Sequence, residues 1–197
     1  MCATPVRDFW TWSLDRYAGE RVATTLIDLQ DRFSLNVNLV LWCCWCAEGY
    51  EPVPDAAMVK AHEAVSTWSS AVTGPLRGAR RFLKTSQAAA AAPEASLLRI
   101  EIKRLELDSE KIEQILLTSI AENDLTASPG ADETSRRKRA GDNLRSYAKL
   151  AGADGRDGFS DMKLDAAAAV IFAAPLQNTS VDAARDVAPA APLQGDD

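Results

Sequence analysis

The sequence predicts an all-α protein, a single helical bundle around a buried central helix, with weaker C-terminal helices and a disordered tail. Residues 39–47 carry no charge and are apolar on every face of a helix, which is typical of a helix surrounded by others. Segments on both sides repeat apolar residues at spacings of three and four. No segment alternates polar and apolar residues with a period of two, so we expect no sheet.

The first fifty residues fit three helices joined by short links. Thr4 is a suitable N-cap for the first helix, and Pro5 falls where helices accept proline. The apolar stripes are Val6, Trp10, Leu14 and Tyr17 in the first helix, and Val22, Leu26, Leu29 and Phe33 in the second. A break at Ser34 follows, and Asn36 can cap the central helix. Short links favour helices that pack against each other, so these three should form the start of the bundle.

Two more helices are predicted before residue 85. Asp55 is a suitable N-cap for the fourth, whose apolar stripe is Met58, His62, Val65, Trp68 and Val72. Gly74 and Pro75 end that helix and begin a short basic one that runs to Lys84.

A long helix is predicted over residues 94–122. Its near-heptad seam is Leu98, Ile102, Leu105, Ser109, Ile112 and Leu116, which should be buried against the bundle. A second apolar set lies off that seam: Leu97, Ile100, Leu107 and Leu117. A helix with two apolar sides needs two surfaces to cover them. We therefore expect the side that contains Leu107 to meet either the C-terminal helices or another protein chain.

The composition changes after the long helix. Pro129, Gly130, Gly141 and a basic run at 136–139 favour a mobile connection. The predicted organisation is a helical core domain at 1–123, a flexible linker at 124–141, C-terminal helices packing on the core at 142–174, and a disordered tail at 175–197.

Charge and composition exclude several functions. The chain has 197 residues and is 47% apolar, so it has enough apolar residues for a hydrophobic core. Its formal net charge of −6 argues against an overall affinity for nucleic acid. The N-terminal residues lack the basic segment and the apolar segment of a signal peptide, and no apolar run is long enough to span a membrane. Three of the four cysteines crowd together, which favours reduced thiols. We expect a soluble, cytoplasmic protein.

Several short motifs resemble a known family. They are Phe9-Trp-Thr-Trp-Ser-Leu-Asp-Arg-Tyr17, Leu29-Gln-Asp31, Val37-Asn-Leu39, Trp45, Gly49, Pro75-Leu-Arg77, Arg80-Arg81, and Ile102-Lys103 with Glu106 and Glu110. The chain is similar, over roughly residues 8–120 and more weakly 142–174, to domain of unknown function 2390, a mostly proteobacterial family. The resemblance implies a small, soluble, all-helical bacterial protein with no assigned activity. Two departures are Ser34, where a glycine is common, and the cysteines at 43, 44 and 46, where aliphatic or aromatic residues are usual.

The cysteines are the first candidate for metal chemistry. Cys43 and Cys46 lie about 60° apart around a helix, so both could touch one metal ion. A zinc site needs four ligands, and the chain offers only His62 and Cys2 besides this cluster. Small core hydrophobes are the favoured interpretation, and we expect neither a metal nor a cofactor.

Catalytic residues are not evident. His62 lies on an apolar stripe, and no nucleophile elbow, P-loop or dinucleotide fingerprint accompanies it. Four acidic residues of the long helix could suggest a carboxylate metal site: Glu101, Glu106, Glu110 and Glu113. Di-iron bundles also need Glu-x-x-His on two helices, and basic residues interleave with these acids, so a solvated face is favoured. The sequence favours a protein that is not an enzyme.

Two polar groups remain as candidate binding residues. Gln30, Asp31, Asn36 and Asn38 flank the turn into the central helix, either as a cap-and-turn network or as the polar wall of a pocket lined by Trp10, Tyr17 and Trp45. Arg77, Arg80, Arg81 and Lys84 line one side of the short helix. They could receive a phosphate or an acidic partner, pair with the acids of the long helix, or face water.

The sequence favours an interaction or assembly factor without catalytic activity, whose partner is an unknown protein or a second copy of the chain. The alternative is a small-molecule-binding protein with a pocket lined by the N-terminal aromatic residues. The candidate binding residues are Gln30, Asp31, Asn38, Arg77, Arg80, Arg81 and Leu107.

Overall fold

The architecture is a bundle of helices, seen in a computed structural model that describes residues 7–87 and 92–174. The helices are α1 (Phe9–Tyr17), α2 (Glu20–Phe33), α3 (Val37–Gly49), α4 (Asp55–Trp68), a π-helical turn (Ser69–Thr73), α5 (Gly74–Thr85), α6 (Pro93–Asp124), α7 (Glu133–Leu150) and α8 (Asp161–Ala173). Within these ranges no strand forms, and one isolated bridge joins Tyr50 to Ala127. The predicted all-α class is confirmed.

The central helix is α3, as predicted. It packs against α1, α2, α4, α6, α7 and α8, and all of its residues from 38 to 47 are buried. The side chain of Asn36 accepts a hydrogen bond from the Leu39 amide at 3.2 Å, so the predicted N-cap is present. Within the helix, the Trp42 indole donates to the carbonyl of Leu117 at 3.0 Å and joins α3 to α6. An apolar side chain buried here contributes about 1.5–3 kcal/mol.

The link between α2 and α3 turns at Ser34, whose backbone is left-handed with a φ of 56°. Its amide donates to the carbonyl of Gln30 at 2.9 Å and closes the helix end. A side chain with a Cβ is strained in this region of backbone space, whereas glycine is not. This strain gives a physical reason for a glycine at this turn.

Replacing Ser34 with glycine is expected to raise the free energy of unfolding by about 1 kcal/mol, because the left-handed strain is removed. Chemical denaturation of both proteins measures the difference. The matched control is Ser119→Gly, an exposed position inside α6, which should instead lose roughly 0.5 kcal/mol of stability. An equal loss in both variants would contradict the role given to the turn.

The first helix begins later than predicted. The Thr4 cap and Pro5 lie outside the described residues, and α1 starts at Phe9, where the Asp8 side chain accepts the Thr11 amide at 2.9 Å. The buried side of the helix also differs from the predicted stripe. Phe9 and Trp12 are fully buried, whereas Trp10 is only half-buried.

The predicted linker at 124–141 is wrong in its second half, because α7 begins at Glu133. The Asp132 side chain caps it by accepting the Ser135 amide at 2.8 Å. Gly141 lies inside this helix, and a Cβ there would come within 2.5 Å of the Asp165 carboxylate on α8. The glycine is therefore part of a helix that contacts α8 and does not mark a flexible linker. The predicted tail at 175–197 lies outside the described residues.

The apolar seam predicted for α6 is wrong in its orientation. Leu98, Leu105 and Ile112 are 53%, 44% and 39% exposed, whereas Ile102 and Leu116 are half-buried. The buried face consists of Glu106, Ser109, Glu110, Glu113, Gln114, Leu117, Ile120 and Ala121. The three glutamates are thus buried rather than solvated, because α5 and α3 offer them hydrogen-bond donors. Buried polar groups are tolerated when they are paired in this way.

The described helices include none that is both long enough and apolar enough to cross a lipid bilayer.

Candidate functional site

A group of polar side chains lies inside the bundle, where α6 meets α3, α5 and the π-helical turn. We call it the polar cluster; its members are Asn38, Thr73, Arg77, Arg80, Glu106, Ser109, Glu110, Glu113 and Gln114. Except for the half-buried Arg77, all of them are buried.

One end of the polar cluster is built around Glu113. One of its oxygens accepts a hydrogen bond from Asn38 at 2.8 Å and a longer one from Asn36 at 3.4 Å, and the other accepts the Thr73 hydroxyl at 2.8 Å. Gln114 donates to the side-chain oxygen of Asn38 at 2.9 Å. Three separate parts of the chain are therefore joined through one carboxylate.

The other end of the polar cluster pairs α5 with α6 through charge. Glu106 accepts the Arg80 Nε at 2.6 Å and the Arg77 Nε at 3.0 Å, so one carboxylate lies between two guanidinium groups. Arg77 also donates to Glu110 at 3.1 Å. The spacing of three between the two arginines, and of four between the two glutamates, places each pair on one helix face. These contacts fix which side of α6 faces inward.

Glu110 is the one incompletely paired member of this arrangement. Its second oxygen, Oε2, is buried and has no hydrogen-bond partner among the described residues. The pKa of Glu110 is raised to about 8, mainly by burial; the charge of Arg77 opposes this rise, and the nearby carboxylates of Glu106 and Glu113 contribute to it. At neutral pH this carboxyl group is therefore mostly protonated.

A small crevice opens beside Glu110. Its volume is about 20 Å³, and its lining residues are Tyr17, Gln30, Asn36, Val37, Asn38, Arg77, Glu110 and Glu113. A space of this size holds about one water molecule and no organic ligand. Burial also raises the pKa of Tyr17 to about 12, so its hydroxyl stays protonated. The crevice offers polar groups but no room for a substrate.

The structure brings some predicted binding residues together and separates others. Three of them line the crevice: Gln30, Asn38 and Arg77. Arg80 is buried against Glu106, which realises the predicted pairing with acids of the long helix. Asp31 and Arg81 are exposed, and Leu107 is half-buried at the edge of the inward face of α6. Trp45, predicted to line a pocket, is buried and donates to the Arg7 carbonyl at 2.8 Å.

Sequence reasoning placed Glu106, Glu110 and Glu113 in solvent and did not single out Thr73. A signal was present in the regular spacing of acids on one helix and arginines on the helix before it. That signal is weak, because the same spacing also occurs on solvated helix faces.

The cysteines lie in the core of α3. Cys43, Cys44 and Cys46 are fully buried and free, and burial raises the pKa of Cys44 to about 12. The other two pKa values are also raised well above the ordinary range for a thiol, again mainly by burial. Their chemical character is therefore that of apolar side chains. In residues 7–87 and 92–174, no group of three His, Cys, Asp or Glu side chains is placed to hold a metal ion.

A second feature of α6 lies on the side opposite the polar cluster. We call it the outer face; its large apolar residues are Leu97, Leu98, Ile100, Leu105, Ile112 and Ile115, which are 39–67% exposed. At about 100° per residue, these positions lie about 80° to 180° from Glu106 around the helix. The helix thus turns three glutamates toward the bundle and exposes large apolar side chains, with charged residues between them, to solvent.

These features define an all-α protein with a buried polar cluster and an exposed apolar helix face. The chain belongs to the family described as Protein of unknown function (DUF2390), whose sequence model matches residues 8–117, more than half of the chain. The match contains every residue of the polar cluster, and it confirms the family resemblance seen in the motifs. Neither a search of curated proteins nor a search of solved structures finds a match.

Proposed function

We propose that this protein is an interaction or assembly protein, which binds another polypeptide along the outer face of α6. The observation that carries the proposal is the orientation of that helix. Glu106, Glu110 and Glu113 are buried in contacts within the bundle, whereas six large apolar side chains of the same helix are exposed to solvent.

The outer face is more than a set of scattered apolar residues. Single exposed apolar side chains are common on soluble proteins, but six large ones on the exposed side of one helix, with charged residues between them, are typical of a binding surface. From Leu97 to Ile115 the patch extends along about 27 Å of helix. That length suits contact with another helix.

The polar cluster supports the same proposal by holding the outer face outward. Rotating α6 to bury Leu98 and Leu105 would separate Glu106 and Glu113 from their partners on α5 and α3. Buried charged groups left without partners cost several kcal/mol, so the observed orientation is favoured even though it exposes apolar surface. A role in small-molecule binding at the polar cluster has less support, because the crevice beside Glu110 holds about one water molecule.

A photoreactive amino acid placed on the outer face tests the proposal. We expect the probe at Leu98 to give crosslinked products in the cells that naturally produce the protein. The same probe at Met162, an exposed apolar residue of α8, should give none. Adding Leu105→Asp should remove the products at Leu98 while the circular dichroism spectrum stays unchanged, since Leu105 is exposed in the monomer.

Two results would contradict the proposal. One is the absence of crosslinks at Leu98 when the protein is present at its normal level. The other is a set of Leu98 products that persists unchanged in the Leu105→Asp protein.

A further inference from the structure

We propose that the partner on the outer face of α6 is a second copy of this chain, bound antiparallel with a two-fold axis level with Glu106. This inference rests on the proposed function, because it names the occupant of the same surface. Its basis is the order of charges along the exposed side of α6.

Four exposed charges of α6 are arranged with opposite signs at equal distances from residue 106. Glu101 lies five residues before it and Lys111 five after it, whereas Arg104 lies two before and Asp108 two after. All four are exposed in the described structure. In an antiparallel pair centred on residue 106, Glu101 is level with Lys111 of the copy, and Arg104 with Asp108. Symmetry repeats each pairing, which gives four interchain ion pairs.

Most apolar residues of the outer face fit the same antiparallel register centred on residue 106. Leu97 becomes level with Ile115 of the copy, and Ile100 with Ile112, so four of the six apolar residues of the outer face are level with another of them. Leu105 lies next to the axis, where it approaches its own counterpart. The contact thus has apolar groups along its length and complementary charges between them, as a self-complementary interface requires.

A parallel pair does not share this complementarity. In a parallel register, Glu101 faces Glu101 and Arg104 faces Arg104, and the same holds for Asp108 and Lys111. Juxtaposed like charges disfavour an interface, so the sequence of charges selects the antiparallel arrangement.

Within one chain, three of these charges contact only neighbours on the same helix. Arg104 lies 3.3 Å from Glu101 and 3.6 Å from Asp108, in pairs that are about three-fifths exposed. The Lys111 ammonium lies over the Trp10 ring of α1, 5.4 Å from the ring centre, and remains exposed. Glu101 and Lys111 are ten residues apart, about 15 Å along the helix, so a direct ion pair between these two positions can form only between copies.

Charge reversal tests that coupling in the full chain. We expect wild-type protein to sediment as a dimer, and E101K or K111E alone to weaken dimerisation about tenfold, because two ion pairs become two repulsions. The double variant E101K/K111E restores both pairs with their signs exchanged, so its dimer constant should return to within about threefold of wild type. In the double variant, the unfavourable contacts that each substitution creates within its own helix remain. A restored dimer constant could therefore not be explained by a more stable monomer.

Crosslinking tests the direction of the pair. In a Cys2→Ser background, Leu97→Cys and Ile115→Cys proteins are mixed and treated with a short bismaleimide. We expect crosslinks between the two proteins and none within either alone, because two copies of residue 97 would be about 27 Å apart. Cys43, Cys44 and Cys46 are fully buried and serve as unreactive internal controls.

The outcomes separate this inference from the proposed function. If the wild-type protein sediments as a monomer at every concentration, or the double reversal fails to restore association, the second-copy inference is overturned. Crosslinks at Leu98 to a different protein would then leave the proposed function standing. Crosslinks between two Leu97→Cys chains alone would overturn the antiparallel arrangement.

Discussion

Replacing Trp42 with alanine is expected to lower the free energy of unfolding by about 3–5 kcal/mol. Trp42 is fully buried at the centre of α3, and its indole nitrogen donates to the Leu117 carbonyl of α6 at 3.0 Å. The substitution removes the largest type of side chain from the core, leaves a cavity and breaks the link between the two helices. Domains of this size are stable by only about 5–15 kcal/mol, so the variant should be close to unfolding at physiological temperature.

Urea denaturation followed by circular dichroism measures this change. The matched control is Trp10→Ala on α1, which removes the same side chain from a half-buried position. We expect the control to lose less than half as much stability, since less apolar area leaves contact with the core. Equal losses in the two variants would contradict the central role given to α3.

The second large effect is a dependence of stability on pH that arises from Glu110. Its pKa in the folded protein is raised to about 8, from an ordinary value of 4.5. Between these values the folded state binds a proton that the unfolded state does not, so stability falls as the pH rises. The resulting loss of stability is on the order of several kcal/mol. We expect the loss to be complete just above pH 8.

The variant Glu110→Gln should remove most of this dependence, because glutamine resembles the protonated carboxyl group and carries no charge. Denaturation of wild type and variant at pH 5.5, 7 and 9 gives the comparison. Glu63→Gln, which neutralises an exposed carboxylate on α4, is the control and should leave the pH dependence unchanged. Parallel stability curves for wild type and Glu110→Gln would show that Glu110 is not the group responsible.

The parts of the fold that were predicted correctly depend on local chemistry. A helix that is uncharged and apolar on all sides is most stable when other helices surround it, and α3 lies at that central position. The cap at Asn36 acts on an amide three residues away, so the sequence contains both partners. The α7 start at Asp132 is equally local and was missed because the glycines and prolines around it predicted a loop.

The candidate site was predicted only in fragments. Gln30, Asn38 and Arg77 were singled out for their chemistry, and the structure places all three at one crevice. The glutamates that complete the polar cluster were assigned to solvent. A glutamate is stable in the interior only if hydrogen-bond donors are placed beside it, and these donors belong to residues 26 to 75 positions away in the chain.

The sequence by itself determined the class of the fold, the identity of the central helix and the cap that begins it, because each follows from side chains close together in the chain. Only the tertiary structure decided the rotation of α6. Its two faces compete: burying Leu98, Leu105 and Ile112 would gain apolar contacts, whereas burying Glu106 and Glu113 satisfies polar partners already held on α5 and α3. Leaving buried charged groups without partners costs more free energy than burying these partly exposed apolar side chains would gain. The apolar face is therefore the one exposed to solvent.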